Sequence, residues 1–307
     1  MTVNKIGFVG LGKMGYHLVK RILESGQSVF VHDSKQERIN KLTEVGAEGC
    51  ESITELAKKS TSPKVIILCV PAGKAVDDIL GQLDSYLSEG DVIIDLGNSY
   101  YKDSQRRAKE LSEKKIDFID VGMSGGIYGA KYGACLMIGG KKSRVFELDY
   151  LFKAISKDNS YEYFGKSGAG HLVKGYHNMI EYGYLQSLAE GLESLLEISK
   201  EEGISISPEK ACSIWSKGSV IESRIITDAI KAFQKATALS EIEGSVYGQT
   251  LEDMKKLIMA AANCGVKVYS CKAAVKARMD SQTNPTYSGK IINAIRNIFG
   301  GHEDWKK

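Results

Sequence analysis

The chain has 307 residues, enough for about two domains, and its 43% hydrophobic and 26% charged residues suit a globular protein that buries a substantial core. A formal net charge of +3 is too mild for a nucleic-acid surface and leaves small anionic ligands open. The longest apolar run, "VIILCV" at 65–70, falls far short of the roughly 18 residues that span a membrane, and "MTVNKIGFVG" lacks the apolar core of a signal peptide. Six cysteines form no C-x-x-C pair and no zinc-like spacing with histidine, which fits reduced thiols in a soluble, cytoplasmic protein.

In chain order, "KIGFVG" (5–10) predicts a strand, "MGYHLVKRILESG" (14–26) a helix, "SVFVHD" (28–33) a strand and "KQERINKLTEVG" (35–46) a helix. "KVIILCV" (64–70) and "DVIIDLG" (91–97) read as buried strands on either side of a helix at 75–87. A helix at 104–115 and a strand at 117–123 follow, then strands at 135–140 and 160–165 around a helix at 143–156. Continuous apolar strands alternating with helices predict a parallel, doubly wound Rossmann-type sheet over residues 1–167. From residue 168 strand signals nearly vanish. One helical pattern runs through 171–203, with others near 208–216, 219–234, 251–263, 267–281 and 285–298, so residues 168–307 are expected to form an all-helical domain.

Gly10-Leu11-Gly12-Lys13-Met14-Gly15 is G-x-G-x-x-G between a strand and a helix, the context of a dinucleotide fingerprint. Gly10 makes the tight turn, Gly12 lets the backbone approach a pyrophosphate, and Gly15 lets the helix lie close on the sheet. Asp33 ends the second strand, where a carboxylate accepts bonds from ribose hydroxyls and repels a 2′-phosphate. That predicts NAD, with NADP possible because Lys35 and Arg38 lie close by; a plain turn carboxylate is the other reading of Asp33. The expected cofactor set is Gly10, Leu11, Gly12, Met14, Gly15 and Asp33, with Val70 and Asn98 at the ends of later strands.

"GAGHLVKGYHNMIEYGYLQ" (168–186) loads one helix face with polar chemistry. From Lys174, positions three, four and seven along hold His177, Asn178 and Glu181. Lys174 and Glu181 lie about 10 Å apart along the axis, a spacing at which a base and an acid serve different atoms of one ligand. By periodicity alone the pair also fits a solvated amphipathic face. Two loops argue for a site: "DLGNS" sets Asn98 just after a strand, and Ser124-Gly125-Gly126 offers N–H groups and a hydroxyl to a carboxylate, though "SGG" also suits an ordinary turn.

With these segments together, the chain resembles the short-form 6-phosphogluconate dehydrogenases, decarboxylating enzymes of the β-hydroxyacid dehydrogenase superfamily. The carrying stretches are "GFVGLGKMG", "IDLGNSYYKDSQRR", "GMSGGIYGAKYGACLMIGG", "GAGHLVKGYHNMIEYGYLQ" and "IRNIFGGH". The resemblance implies Lys174 as general base and Glu181 as general acid. It implies Asn98, Ser124, Gly125, Gly126, His177, Asn178 and Tyr182 as substrate contacts. Arg296 and His302 match a pair that holds the sugar phosphate from a neighbouring subunit, so a homo-oligomer, dimer or tetramer, is implied. One position departs: where the family carries a phosphate-contacting arginine, seven residues after the tryptophan, "WSKGSVIESR" has Glu222, with Lys217 the nearer substitute and Arg224 pointing elsewhere. "EIEGSVYGQT" (241–250) departs from the short-form pattern as well.

The expected reaction is oxidative decarboxylation of 6-phospho-D-gluconate to ribulose 5-phosphate. No metal is required, since a β-keto acid with a protonated carbonyl is itself an electron sink, and no metal cluster is evident in the sequence. The competing expectation is a β-hydroxyacid dehydrogenase acting on 3-hydroxyisobutyrate or a non-phosphorylated sugar acid. A non-catalytic, NAD-binding regulatory protein is the alternative from another class.

Overall fold

The computed structural model describes residues 5–235, 239–248 and 251–301. The chain divides into two compact units that meet at Gly175/Tyr176.

The first unit opens with β1 (Ile6–Val9), α1 (Lys13–Glu24), β2 (Val29–His32), α2 (Gln36–Thr43), the two-residue β3 (Glu48–Gly49) and α3 (Ile53–Lys59). β4 (Val65–Leu68), α4 (Lys74–Leu83), β5 (Val92–Asp95), α5 (Tyr101–Ser112) and β6 (Asp117–Ser124) continue the alternation. Then come α6 (Gly126–Tyr132), β7 (Ala134–Gly139), α7 (Lys142–Glu147), α8 (Asp149–Ile155) and β8 (Ser156–Gly165). The eight strands form one sheet in the order β3-β2-β1-β4-β5-β6-β7-β8. β1 to β6 are parallel, β7 runs antiparallel to β6, and β8 pairs parallel with β7. The doubly wound sheet predicted from the apolar runs is present, but it is not parallel throughout: its polarity reverses once, at β7.

Alternation along the strands builds a core on each face. Ile6, Phe8, Val65 and Ile67 enter one cluster with α1 residues Leu18 and Ile22. Val9, Ile66 and Leu68 enter the other with Leu56 of α3 and Ile79 of α4. Strand order reverses direction between β1 and β4, so the loops after these strands face the crevice where ligands bind in such sheets.

α9 (Ala169–Glu201) begins in the first unit and runs on into the second. There follow α10 (Pro208–Trp215), α11 (Arg224–Lys235), α12 (Leu251–Asn263), α13 (Tyr269–Ser281) and α14 (Tyr287–Gly300). Leu185, Leu188, Ala189 and Leu192 make the stripe of α9 that packs with Ile226 of α11 and with Ile291 and Ile295 of α14. Ser207 caps α10 by accepting from Lys210 N, with Pro208 at the first turn, as its sequence foretold. Among the described residues no helix is long and apolar enough to cross a membrane. The six cysteines carry free thiols.

Several expectations are corrected. β3, α3 and α6 lay in stretches with no predicted element. The expected helix at 143–156 is two helices hinged at Leu148. The last strand starts at Ser156 rather than 160 and pairs irregularly, with Asp158 and Asn159 at positive φ. The helix expected from 219 starts at Arg224, because Gly218 turns left-handed and Ser223 Oγ accepts from Ile226 N at 3.2 Å, capping the helix there.

Candidate active site

The glycine motif turns out as its spacing requires. Gly10 has φ 99°, and a Cβ there would lie 2.3 Å from the carbonyl oxygen of Cys69 and 2.8 Å from Val70 Cγ1. A Cβ on Gly15 would lie 2.0 Å from the Gly10 carbonyl oxygen, so α1 sits directly on the turn. A Cβ on Gly12 would meet nothing within 4 Å. Two glycines are therefore needed for packing, and the third faces open space at the start of α1, where N–H groups and the helix dipole favour a pyrophosphate. Leu11 is buried, and Met14 packs partly buried against the core beneath the motif. Val70 also borders the next loop, its carbonyl oxygen 3.1 Å from where a Cβ on Gly97 would be.

Asp33 ties the second strand to this turn. Its Oδ2 accepts from Leu11 N at 2.7 Å, its Oδ1 accepts from Lys35 N at 2.9 Å, and Arg38 Nη1 lies 3.3 Å from both oxygens. Burial opposes the carboxylate's charge, but the two backbone N–H groups and Arg38 outweigh it and hold the carboxyl below its ordinary range. Arg38 is thus turned onto Asp33. These residues fit an NAD adenosine end: an ionised acceptor beside an open glycine turn.

Asn98 is exposed in the loop after β5, and Asp95 braces that loop on both sides of it. Asp95 Oδ1 accepts from Gly97 N at 2.8 Å and Oδ2 from Ser99 Oγ at 2.7 Å. Fully buried Arg107 stands 3.6 Å from Asp95 and donates from Nε to Asp77 Oδ1 at 2.8 Å, so the buried charge is compensated. Ser124 ends β6 half-buried, and Gly125 and Gly126 follow at φ 122° and 60°, turning the chain straight into α6.

Lys174 is positioned from the backbone. Asp120, fully buried on β6, accepts from Gly168 N at 2.6 Å and from His171 N at 2.8 Å, which fastens the start of α9 to the sheet. Gly122, two residues along the same strand, lies against Lys174: a Cβ there would be 2.3 Å from Lys174 Cβ and 2.9 Å from the Gly170 carbonyl oxygen. A Cβ on Gly170 would in turn lie 2.3 Å from Met137 O and 2.5 Å from Asp120 O. Helix and strand therefore touch main chain to main chain. His171, buried, meets Ser104 Oγ at 2.7 Å through Nδ1, while its Nε2 has no hydrogen-bond partner among the described residues.

In the second unit, α9 presents His177 with Nδ1 3.3 Å from Asn178 Oδ1 and 3.9 Å from the Glu181 carboxylate. Tyr182 is buried one residue on, and the Arg278 guanidinium lies over its ring, 3.5 Å from the centroid. Arg296 of α14 donates from Nη1 to Asn293 Oδ1 at 3.2 Å, and Asn293 is itself held by donating to the carbonyls of Glu243 and Ser245. Gly248 brings Arg296 and Tyr182 to one place: a Cβ there would lie 3.4 Å from Arg296 Nη2 and 3.7 Å from Tyr182 Oη. These groups lie close together within this chain. His302 lies outside the described residues.

Glu222 is exposed and turned back on its own loop, where Oε2 accepts from Gly218 N at 2.8 Å. Lys217 is exposed and Arg224 is held by Asp228 at 2.7 Å. Sequence reasoning overlooked Asp95, Arg107, Asp120, Gly122 and Arg278. For Arg278 a signal existed: it falls on the buried stripe of α13 with Ala274, Val275 and Ser281, where an arginine is out of place unless it has work there.

Known proteins match this chain in both of its parts. Residues 5–165 match the NAD binding domain of 6-phosphogluconate dehydrogenase, and residues 185–305 match the 6-phosphogluconate dehydrogenase C-terminal domain. The chain is 33% identical over 305 residues, covering 99% of each protein, to the NAD(+)-dependent, decarboxylating 6-phosphogluconate dehydrogenase of Haloferax volcanii. The Plasmodium falciparum 6-phosphogluconate dehydrogenase, solved in apo form and with NADP+ or 6-phosphogluconate, superposes with a TM-score of 0.79 at 26% identity, over 91% of this chain and 62% of that one. A Mycobacterium tuberculosis 3-hydroxyisobutyrate dehydrogenase shares the fold, with a TM-score of 0.75 at 17% identity over 94% and 98% of the two chains. With an NAD-binding sheet, a helical second unit and a full-length relative at this level of identity, the chain is an oxidoreductase that belongs to the 6-phosphogluconate dehydrogenase family.

Proposed function

We propose that the protein oxidises and decarboxylates 6-phospho-D-gluconate to ribulose 5-phosphate and CO2, with NAD the preferred acceptor. The observation that carries this reading is α9 itself. It sets Lys174 against β6 through Gly122 and bears Glu181 seven residues further along, about 10 Å away down the axis. With its pyrophosphate held at the glycine turn, a bound dinucleotide would supply a nicotinamide as hydride acceptor. Neutral Lys174 takes the proton of the C3 hydroxyl as C3 is oxidised. It then returns that proton to the ketone oxygen while the C1–C2 bond breaks and CO2 departs. Glu181 protonates the former C2 of the resulting enediol, which becomes C1 of ribulose 5-phosphate. Asn98 and the Ser124-Gly125-Gly126 turn hold the substrate's carboxylate end. His177 and Asn178 bind its hydroxyls, and Tyr182 with Arg296 binds its phosphate. The preference for NAD rests on Asp33, which stays ionised where a 2′-phosphate would have to lie.

Steady-state reduction of NAD and of NADP with 6-phosphogluconate, gluconate and 3-hydroxyisobutyrate tests the proposal. Turnover of the phosphorylated acid with one CO2 released per NADH formed is the expected result. Oxidation of 3-hydroxyisobutyrate without activity on 6-phosphogluconate sinks it and establishes the second reading, a β-hydroxyacid dehydrogenase. That second reading is favoured by one observation, the carboxylate at position 222.

A further inference from the structure

Arg278 is only 2% exposed, yet among the described residues no carboxylate lies within ion-pair distance of it. One face of its guanidinium lies on the ring of Tyr182, which is also a hydrogen-bond partner, and the rest of its N–H edge is left to other groups. The Nη1 atom on that edge is buried and has no partner among the described residues. Arg296 stands close enough to repel it. A buried cation beside a second cation, with an unmet donor, is a poor arrangement for stability by itself. It suits a site that an anion fills. Burial first, and Arg296 after it, pull Arg278 down to about 10, the strain that a bound anion would relieve. A Cβ on Gly248 would touch Arg296 Nη2 and Tyr182 Oη at 3.4 and 3.7 Å, so the glycine keeps side-chain bulk off both groups.

We infer that Arg278 is a substrate-binding residue: its guanidinium holds the phosphoryl dianion of the acid together with Arg296 and Tyr182, the charge that Glu222 does not provide. This inference rests on the reading of the substrate as a phosphorylated 3-hydroxy acid. It explains how position 222 carries a carboxylate without harm. Glu222 faces its own loop, Arg224 is taken up by Asp228, and the compensating positive charge comes from a different helix, α13. A guanidinium offers two parallel N–H donors to phosphate oxygens, a geometry that an ammonium lacks.

The test uses the full chain with Arg278→Gln and Arg278→Lys. KM for 6-phosphogluconate should rise about 10- to 100-fold in the Gln variant, the scale of one lost charge-assisted contact, with kcat changed little. Competitive inhibition by inorganic phosphate should weaken by a similar factor, and the Lys variant should fall between. Arg278 also feels the Glu181 charge, so a positioning role toward that acid is the rival account. That role would lower kcat and leave KM and phosphate inhibition as they are, an outcome that overturns the inference. If the wild type does not oxidise 6-phosphogluconate, the functional reading has failed. Calorimetric binding of inorganic phosphate to wild type and Arg278→Gln then decides the site separately, and equal binding overturns it. Should both variants fail to fold, a crystal structure of the wild type soaked in inorganic phosphate replaces them. A phosphate bonded to Arg278 supports the inference, and one bound elsewhere or not at all refutes it.

Discussion

Gly122→Ala is the smallest change that should move the chemistry without touching it. The added Cβ would start 2.3 Å from Lys174 Cβ, and ordinary contact needs at least 3.4 Å, so strand and helix must part by about 1 Å. Neither neighbour yields easily. The Lys174 Cβ is fixed to the helix backbone, and the second contact, at 2.9 Å, is the Gly170 carbonyl oxygen. Asp120 meanwhile holds the same helix turn to the same strand at 2.6 and 2.8 Å, so relaxation is resisted from two residues away. Overpacking of this kind costs about 1–3 kcal/mol in stability. A catalytic group displaced by about 1 Å costs on the order of 100-fold in rate. The expected result is kcat for 6-phosphogluconate down roughly 100-fold, with KM for NAD unchanged, because Gly10, Gly12 and Asp33 lie at other strands. Stopped assays at saturating NAD and denaturant melts on the same preparation give both numbers. A Gly122→Ala enzyme with wild-type kcat would refute the argument that this contact sets the base.

Two glycines of the dinucleotide motif should answer oppositely to alanine. Gly12→Ala should leave the melting temperature within a degree or two yet raise KM for NAD about tenfold or more, since its Cβ meets only open space in the protein itself; Gly15→Ala, aimed at the Gly10 carbonyl, should destabilise by about 1–3 kcal/mol, and equal stability losses would contradict the assignment of Gly12 to the ligand. Asp120→Asn should cost about 1–3 kcal/mol in urea unfolding, because an amide NH2 cannot accept from both buried N–H groups; a neutral result would mean that α9 is anchored by other contacts. Asp33 has a folded pKa below its ordinary 3.8, so its contribution to stability is fully present above that value and is lost as pH falls through the lowered one. The stability gap between wild type and Asp33→Asn should therefore stay constant from pH 6 to about 4 and close only below it; closing between pH 6 and 5 would show that the carboxyl is not held low.

The parallel strands were legible because strands buried on both faces read as unbroken apolar runs. The G-x-G-x-x-G turn and Asp33 were legible because their chemistry is local in sequence. α3 went unseen although Ser52 and Glu55 have the spacing of a capping box, with Ser52 accepting from Glu55 N and Glu55 reaching back to accept from Glu51 N; a helix of seven residues gives periodicity too little room. α6 was hidden by its glycines, which lower helix propensity without forbidding the turn that tertiary contacts impose. What the residue pattern did not disclose was the support of the site. Asp120 matters through Gly168 and His171, 48 and 51 residues away, and Gly122 through Lys174; pairings at that distance have no period to betray them. Glu222 drew notice as a departure, while Arg278, the residue that gives it a rationale, looked like one more cation on a lysine-rich helix.

The seat of α9 on β6 is made by Gly122 and Gly170, and a joint without side chains has only two settings, intact and broken. No series of graded substitutions can slide Lys174 by fractions of an ångström, as exchanges among Val, Ile and Leu adjust an ordinary core contact. The placement of Lys174, the proposed proton acceptor, is therefore inherited whole or lost. On the proposed reading, change in the acid that is accepted comes from the second unit, where side chains such as those at 222, 278 and 296 can be swapped singly. Engineering of substrate range in this fold should begin there and leave the two glycines alone.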